Sequence, residues 1–534
     1  MFMNMNILFT KDNEELVIQI LQELLYRGVK EICVCPGGRN VPFITALEKT
    51  GRFKLYYWPE ERSAAFFALG RSKRMHRPTV VLTTSGTAAG ELLPAAMEAY
   101  YTGLPLILLT ADRPRRLRGT GAPQAAEQVG LFGHYAVFEQ DIAAGELCTL
   151  QKWKQNGPAH INVCLEEPLN QNFNAWKELD NRCIPATPQK GDMEAAKAAL
   201  DQFIQTNRYP FIVVGALSSQ ARQAIVKFLS NYQAPVYLEA TSGLRENPSL
   251  LAQSITRSEN IWRAAENAGY PIDGILRIGG IPTFRLWRDL EELKGRINVC
   301  SISELPFTGL SWGSNCLVPL HDFFSIYRYS YTINKSCSAW LKEDQRYQSK
   351  LLTLLQEEPQ AEASLIYHLS KQIPSSSLIY LGNSLPIREW DAYATREEKH
   401  ENIFANRGLN GIDGQLSTFL GMSSYSQQNW GIMGDLTTLY DLAAPWILEQ
   451  LKEIDLNLIV INNSGGKIFA SMYANKQIQN QHHLRFRSFA DMWNMRYVHY
   501  THLPEAISYG GHQLVEIMPD ETATMRFWNC IESL

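Results

Sequence analysis

Apolar positions along the chain alternate between a helical and a strand-like period, which predicts strand, turn and helix in regular succession. EELVIQILQELLYRG lines its apolar residues along one helix face, and KEICVCPGG follows as a short apolar strand ending in glycines. KLYYWP is the next strand, ERSAAFFALGRSKRM a helix, TVVLTTSG a strand, TAAGELLPAAMEAYYTG a helix and PLILLTADRP a further strand. HINVCLEEPL closes this unit, and NQNFNAWKELDNRCIPATPQKGD reads as a linker. Strands separated by single helices pair in parallel through crossover connections.

A second alternating unit runs from YPFIVVGALSS through APVYLEATSG and GILRIGGIPTF to about residue 340. A third begins with SLIYLGNS and continues through WGIMGDLTTLYDLAAPWILEQL and LNLIVINNSGGKIF. A chain of 534 residues is too long for one core. The expected fold class is α/β, with three domains over residues 1–175, 190–340 and 355–534, each a mostly parallel sheet flanked by helices. The first and third are candidates to share a fold without detectable sequence similarity.

Composition narrows the function by exclusion. Fifty basic residues against 54 acidic ones give a net charge of −4, with no basic run to suit nucleic acid or an anionic membrane. The nine cysteines form no CxxC pair, so neither a disulfide framework nor a zinc site is expected. Cys33 and Cys35 point the same way along their strand and read as small apolar fillers. The first residues carry acidic groups where a signal peptide needs an apolar run, and no apolar stretch approaches the ~20 residues of a membrane span. A cytoplasmic enzyme is the expectation.

Candidate chemistry sits at strand ends. Gly434-Asp435-Leu436 follows the apolar strand NWGIM, and Asn462-Asn463-Ser464-Gly465-Gly466 follows LNLIVI. Open α/β sheets bind ligands at the carboxyl ends of their strands. Asp435, the amide oxygen of Asn463 and a loop carbonyl such as that of Gly465 are oxygen donors of the kind that suits Mg²⁺. The glycines allow backbone amides to approach a diphosphate, and a helix starting near Thr437 turns its N-terminus towards the anion. Read singly, Gly-Asp after a strand is a turn with an N-cap and Asn-Asn-x-Gly-Gly a turn. Their pairing across one strand–helix–strand unit is the informative feature. It resembles the thiamine-diphosphate fingerprint, whose third position is often glycine and here is Leu436.

That resemblance implies a carboxylate beside the aminopyrimidine ring of the cofactor, at the end of the second strand of the first domain. Glu60-Glu61-Arg62 stands there, opening the helix SAAFFALG. Glu61 is the candidate; Glu60 is its neighbour, and chemistry alone does not separate them. Alone, either is a favourable charge at a helix N-terminus.

CPGGRN, EERSAAFFALG, TTSGTAA, LTADRP, GAPQAAEQVGLFGHY, GNSLPIREW, ANRGLNGIDGQLST, GDLTTLYDL and NNSGGKIF occur together and in order. In this the chain is similar to the 2-succinyl-5-enolpyruvyl-6-hydroxy-3-cyclohexene-1-carboxylate synthase (MenD) family of menaquinone biosynthesis. The resemblance implies thiamine diphosphate with Mg²⁺ (or Mn²⁺) as cofactors. It implies decarboxylation of 2-oxoglutarate and addition of the resulting carbanion to isochorismate, in a homodimer or dimer of dimers. Both substrates are dicarboxylates, and the family-like loops supply Arg39, Arg113, Arg388 and Arg407, whose guanidinium forks suit carboxylates better than lysine does. By the same resemblance Gln124 touches the bound intermediate, Asn383 and Ser384 lie beside the diphosphate, and Ile412 bends the cofactor. Gly434, Leu436 and Thr437 then belong to the cofactor loop, Ile468 and Phe469 to the apolar wall over the thiazolium.

Departures fall on the acceptor side. Gly38 replaces a family serine, Pro123 stands where asparagine is common, and the middle-domain basic pair is reduced to Arg285. A decarboxylase or acetolactate-synthase-like thiamine enzyme is the alternative, though smaller oxo acids do not call for four arginines. An inactive homologue would not be expected to retain Glu61, Asp435 and Asn463. A nucleotide-dependent oxidoreductase lacks its GxGxxG after the first strand, and a serine hydrolase its G-x-S-x-G elbow.

Overall fold

The computed structural model describes residues 2–533 except 168, 170–178, 181, 185–190, 329–335, 471 and 474, with side chains between residues 13 and 531. Most of the stretch read as a linker, 170–192, lies outside the described residues.

Three sheets form, and every strand pair in them is parallel. The first holds β1 (Glu31–Val34), β2 (Lys54–Tyr57), β3 (Thr79–Thr83), β4 (Leu106–Asp112), β5 (Phe138–Ala143) and β6 (Ala159–Cys164), in the order β2-β1-β3-β4-β6-β5. The second holds β7 (Pro210–Val214), β8 (Val236–Leu238), β9 (Gly274–Ile278), β10 (Asn298–Ser303) and β11 (Cys316–Leu317), in the order β11-β10-β9-β7-β8. The third holds β12 (Leu378–Leu381), β13 (Ile403–Phe404), β14 (Asn429–Gly434), β15 (Leu456–Ile461), β16 (Arg496–Tyr500) and β17 (His512–Ile517), in the order β13-β12-β14-β15-β17-β16. The first and third sheets thus repeat one strand order. Their central strands are buried on both faces, which is why they read as unbroken apolar runs.

The chain packs as two compact units. One takes Met1–Pro188, Gly408–Ser423 and Leu439–Lys452; the other takes Gln189–Arg407, Ser424–Thr438 and Glu453–Leu534. In the first unit the helix Glu61–Met75 packs on the helix Gln415–Met422 with glycines at the crossing. A Cβ on Gly421 would overlap the Phe67 carbonyl oxygen, and one on Gly70 the Thr418 carbonyl oxygen.

Three readings need correction. The helix expected over TAAGELLPAAMEAYYTG is two, Thr87–Gly90 and Leu93–Thr102, because Pro94 lacks an N–H to continue the ladder and fits only a first turn. The helix expected near Thr437 begins at Asp435 and ends at Tyr440; a 3₁₀ turn, Ala444–Gln450, follows with Pro445 in its first turn. The strands β5, β10, β11, β13, β16 and β17 were not named beforehand; of these β5 and β16 are half-exposed sheet edges whose polar residues, Glu139 to Asp141 and Arg496 with His499, leave no apolar run.

Candidate active site

In the first unit, β2 delivers the chain to the pair of glutamates. The Trp58 N–H continues the ladder to the Val34 carbonyl at 2.9 Å, and Pro59 then turns the chain. Glu60 has extended backbone and is the N-cap of the helix Glu61–Met75. Its carboxylate accepts from the backbone N–H of Arg62 at 3.1 Å and of Ser63 at 2.8 Å, satisfying two of the helix's orphan donors. Glu61, the first helical residue, is half-buried, and its carboxyl takes only its own backbone N–H among the described residues. Burial lifts its pKa above the ordinary carboxylate range, and the negative charges of Glu60 and Glu91 add to the rise.

Both glutamates line a cavity of about 690 Å³, with Thr84, Ser85, Glu91 and Gln124 on its walls. Thr84 and Ser85 follow β3, next to β1 at the point where the strand order reverses, the usual ligand crevice of an open sheet. Gln124 is held at φ +55°, against Gly86, whose N–H donates to Gln128 at 2.8 Å. A non-glycine residue held in this region marks a position the surroundings over-determine.

Arg39 and Arg113 leave the ends of β1 and β4 and come close enough to repel each other. Arg39 is buried, pairs with Glu167 at 2.9 Å and donates to the Leu165 carbonyl at 3.1 Å. Burial lowers its pKa, Glu167 opposes this, and Arg113 adds to it. The Arg113 Nε is buried without a partner among the described residues. Gly38 has open space around a would-be side chain. Ile412, half-buried, lies in the segment that enters the helix Gln415–Met422.

In the second unit, Asp435 follows β14 directly and is almost fully buried. Its Oδ1 accepts from the Leu436 N–H at 2.6 Å and its Oδ2 from the Gly465 N–H at 2.9 Å. His482 Nε2 lies 3.2 Å from the same Oδ2. Gly465 adopts φ +137°, open to glycine almost alone, which lets the loop after β15 close onto Asp435. Asn463 donates through Nδ2 to both carboxylate oxygens of Glu362, at 3.0 and 2.9 Å. Its Oδ1 is buried and has no partner among the described residues. The Gly465 carbonyl accepts from the Lys467 N–H at 2.9 Å and keeps a second lone pair.

This donor set fits a hard cation. A charged carboxylate, an orphaned buried amide oxygen and a loop carbonyl are oxygen ligands of the type Mg²⁺ takes. The buried oxygen of Asn463 costs free energy while it stays unpaired. The six-residue helix Asp435–Tyr440 is too short to lend much dipole, so an anion here would depend on backbone N–H groups and on any cation held beside it. Gly434 and Leu436 are half-buried and Thr437 is buried.

Asn383, after β12, donates to the Asn406 carbonyl at 2.8 Å and accepts from Arg407 Nη1 at 2.7 Å. Ser384 holds φ +77°, and its carbonyl accepts from Arg388 Nη1 at 2.6 Å. Arg388 and Arg407 are near neighbours: partial desolvation and the Arg407 charge hold the Arg388 guanidinium below its usual range, opposed by Asp391 and Glu239. The four arginines therefore form two pairs, Arg39 with Arg113 and Arg388 with Arg407. Ile468 and Phe469 sit in the 3₁₀ turn Lys467–Phe469, with Phe469 exposed.

Two features escaped the sequence reading. Glu362 starts the helix Glu362–Gln372 and has no motif around it. Arg288, not Arg285, is the middle-sheet arginine felt by Arg388; Arg285 is exposed and pairs with Asp289 at 3.2 Å. A spacing of three residues puts both arginines on neighbouring helix positions, which was the available signal. A further acidic group, Asp112, Asp141 and Cys164, is spoken for: Arg118 reaches Asp112 at 3.1 Å and Asp141 at 2.6 Å.

Residues 14–131 match the family described as thiamine pyrophosphate enzyme, N-terminal TPP binding domain. A protein of Bdellovibrio bacteriovorus named 2-succinyl-5-enolpyruvyl-6-hydroxy-3-cyclohexene-1-carboxylate synthase is 40% identical over 526 residues, covering 97% of this chain and 98% of its own length. Proteins of the same name from Akkermansia muciniphila and Lysinibacillus sphaericus are 36% and 30% identical, covering 95% and 98% of this chain and 96% and 99% of their own lengths. Likeness of that depth over the whole length, on top of three parallel sheets with the expected residues at their strand ends, leaves one assignment: the chain belongs to the 2-succinyl-5-enolpyruvyl-6-hydroxy-3-cyclohexene-1-carboxylate synthase family of thiamine pyrophosphate enzymes.

Proposed function

We propose that the chain is a thiamine-diphosphate-dependent carboligase that decarboxylates 2-oxoglutarate and joins the four-carbon remainder to isochorismate; the names of its relatives give 2-succinyl-5-enolpyruvyl-6-hydroxy-3-cyclohexene-1-carboxylate as what they make. The observation that carries the reading is Glu61: a carboxyl facing a cavity, raised by burial and bonded only to its own backbone N–H among the described residues, while Glu60 caps the helix. Bound thiamine diphosphate would supply the carbanion chemistry that no side chain offers. Glu61 would hold a proton against the aminopyrimidine ring, where a raised pKa favours sharing it. Asp435, Asn463 and Gly465 would hold the divalent cation, Mg²⁺ or Mn²⁺, with Asn383, Ser384, Gly434, Leu436 and Thr437 around the diphosphate. Ile412, Ile468 and Phe469 would shape the apolar part of the site.

Arg39, Arg113, Arg388 and Arg407 would bind substrate carboxylates, with Gln124 beside the reacting carbon. Within each pair, two like charges held close are relieved by an anion, and two such pairs support dicarboxylate over monocarboxylate substrates. Domain bounds of 1–175, 190–340 and 355–534, a homodimer or larger assembly, and a cytoplasmic setting belong to the same proposal. No described helix is long and apolar enough to cross a membrane.

The test is a coupled assay with thiamine diphosphate, Mg²⁺, 2-oxoglutarate and isochorismate, run beside pyruvate. Product from the dicarboxylate pair supports the reading. Turnover of pyruvate alone would replace it with an acetolactate-synthase-like activity.

A further inference from the structure

An asparagine amide is nearly symmetric in shape, so packing does not decide which end faces a ligand. At Asn463 the decision comes from Glu362. Its side chain belongs to a residue 1% exposed, and both its oxygens stand on the single Nδ2 of Asn463, at 3.0 and 2.9 Å. A carboxylate only accepts, so the flipped amide would set Oδ1 against two oxygens at the same distances. The arrangement therefore commits Oδ1 to the opposite side, where it is buried without a partner among the described residues.

Glu362 is itself fixed. Its backbone N–H donates to Thr524 Oγ1 at 3.0 Å as the helix Glu362–Gln372 begins. Behind it stands Glu389, on the helix Leu385–Tyr393, 2% exposed and close enough for the two carboxyls to repel each other as anions. Neither Glu389 oxygen has a hydrogen-bond partner among the described residues. Two carboxyls are thus buried together, and the Asn463 amide is the side-chain donor that Glu362 finds among the described residues. The nearby cation is Lys467, whose charge reaches Glu362 but whose ammonium pairs with Glu521 at 2.8 Å.

We propose that Glu362 is a positioning residue for the divalent cation, locking the Asn463 amide with Oδ1 turned towards the metal. The inference rests on reading Asp435, Asn463 and Gly465 as the cation site. A carboxylate on Nδ2 also pushes electron density towards Oδ1, making it a better ligand.

The test uses the full chain stripped of metal, with thiamine diphosphate present, titrated with Mn²⁺ while free Mn²⁺ is read by electron paramagnetic resonance. Glu362→Gln is expected to weaken Mn²⁺ binding about tenfold or more, because the new amide donates as readily as it accepts and no longer excludes the flip. The melting temperature of the stripped variant should equal or exceed that of the wild type, since one of two facing carboxyls is gone. Asn463→Ala should weaken Mn²⁺ binding as well, and adding Glu362→Gln to it should cost nothing further. Wild-type affinity in Glu362→Gln, or fully additive losses in the double variant, would overturn the inference while leaving the cation site standing. Undiminished binding in Asn463→Ala would overturn both. If Glu362→Gln does not fold, Glu362→Asp, which retracts the carboxylate by one methylene, must show the same loss or the proposal fails.

Discussion

Glu60 closes the helix that Glu61 begins, through bonds of 3.1 and 2.8 Å to the N–H groups of Arg62 and Ser63. Adjacent, chemically identical and both lining the cavity, the two carboxyls are thereby divided: Glu60 is spent on capping the helix and Glu61 is not. Glu61→Gln should lower carboligation by at least ~100-fold, the usual worth of a placed proton-transfer group, without loss of stability. Glu60→Ala should do the reverse, costing about 1 kcal/mol as a lost N-cap and leaving turnover within about tenfold. Steady-state rates and urea denaturation of both variants check the division. Equal losses of rate would refute it.

The raised pKa of Glu61 makes a second, independent prediction for the cofactor-free protein. Burial disfavours the charged form, so the folded chain keeps the proton to higher pH than the unfolded chain does. Below the ordinary value of 4.5 both states are protonated and the penalty is absent. As pH climbs from there through the raised native value, the folded state binds more protons than the unfolded, so stability falls. Glu61→Gln removes this loss. Its urea midpoint should exceed that of the wild type at about pH 7.5, and the gap should close by about pH 4. A midpoint gap that ignores pH would mean that desolvation of Glu61 is not its source.

Arg113 and Arg39 stand together at the ends of β4 and β1. The Arg113 Nε is buried and unpaired among the described residues, and Arg39 beside it carries the same charge. A dicarboxylate entering between them would gain two guanidinium forks and lift the repulsion together. Arg113→Lys keeps the charge but loses the planar fork, and should cut kcat/KM with 2-oxoglutarate and isochorismate about tenfold, ~1.4 kcal/mol, mostly through KM. Activity unchanged by lysine would show that charge alone suffices at this position.

How much of this was legible beforehand depends on distance along the chain. The helix over residues 61–75 was readable from ERSAAFFALGRSKRM because its signals are local: an acidic cap, a run of small apolar residues and a basic last turn. Asp435 and Asn463 were readable because each follows an apolar strand and the two stand one crossover apart. Glu362 was not. It meets Asn463 across 101 residues, and nothing next to it in sequence announces a partner. The Glu60–Glu61 ambiguity was likewise beyond composition, since which carboxyl turns back to the helix is a matter of the extended backbone at Glu60. Edge strands β5 and β16 escaped because one side of each faces solvent, which dilutes the apolar pattern.

The helix crossing in the first unit gives the last prediction, one of stability alone. Glu61–Met75 and Gln415–Met422 approach closely enough that Gly421 lies against the Phe67 carbonyl and Gly70 against the Thr418 carbonyl. Each would place a new methyl on a backbone oxygen, which cannot rotate away as a side chain does. Gly414, at φ +63°, lies similarly against the Phe66 ring. Helix propensity argues the other way: alanine should stabilise a helical glycine by roughly 1 kcal/mol. The close approach should win, because overpacking a fixed backbone costs about 1–3 kcal/mol and forces the helices apart. Gly421→Ala should therefore lower the urea midpoint, and Gly70→Ala combined with it should cost less than the sum, since one separation relieves both clashes. A stabilised Gly421→Ala would mean that the two helices do not pack at this distance in solution.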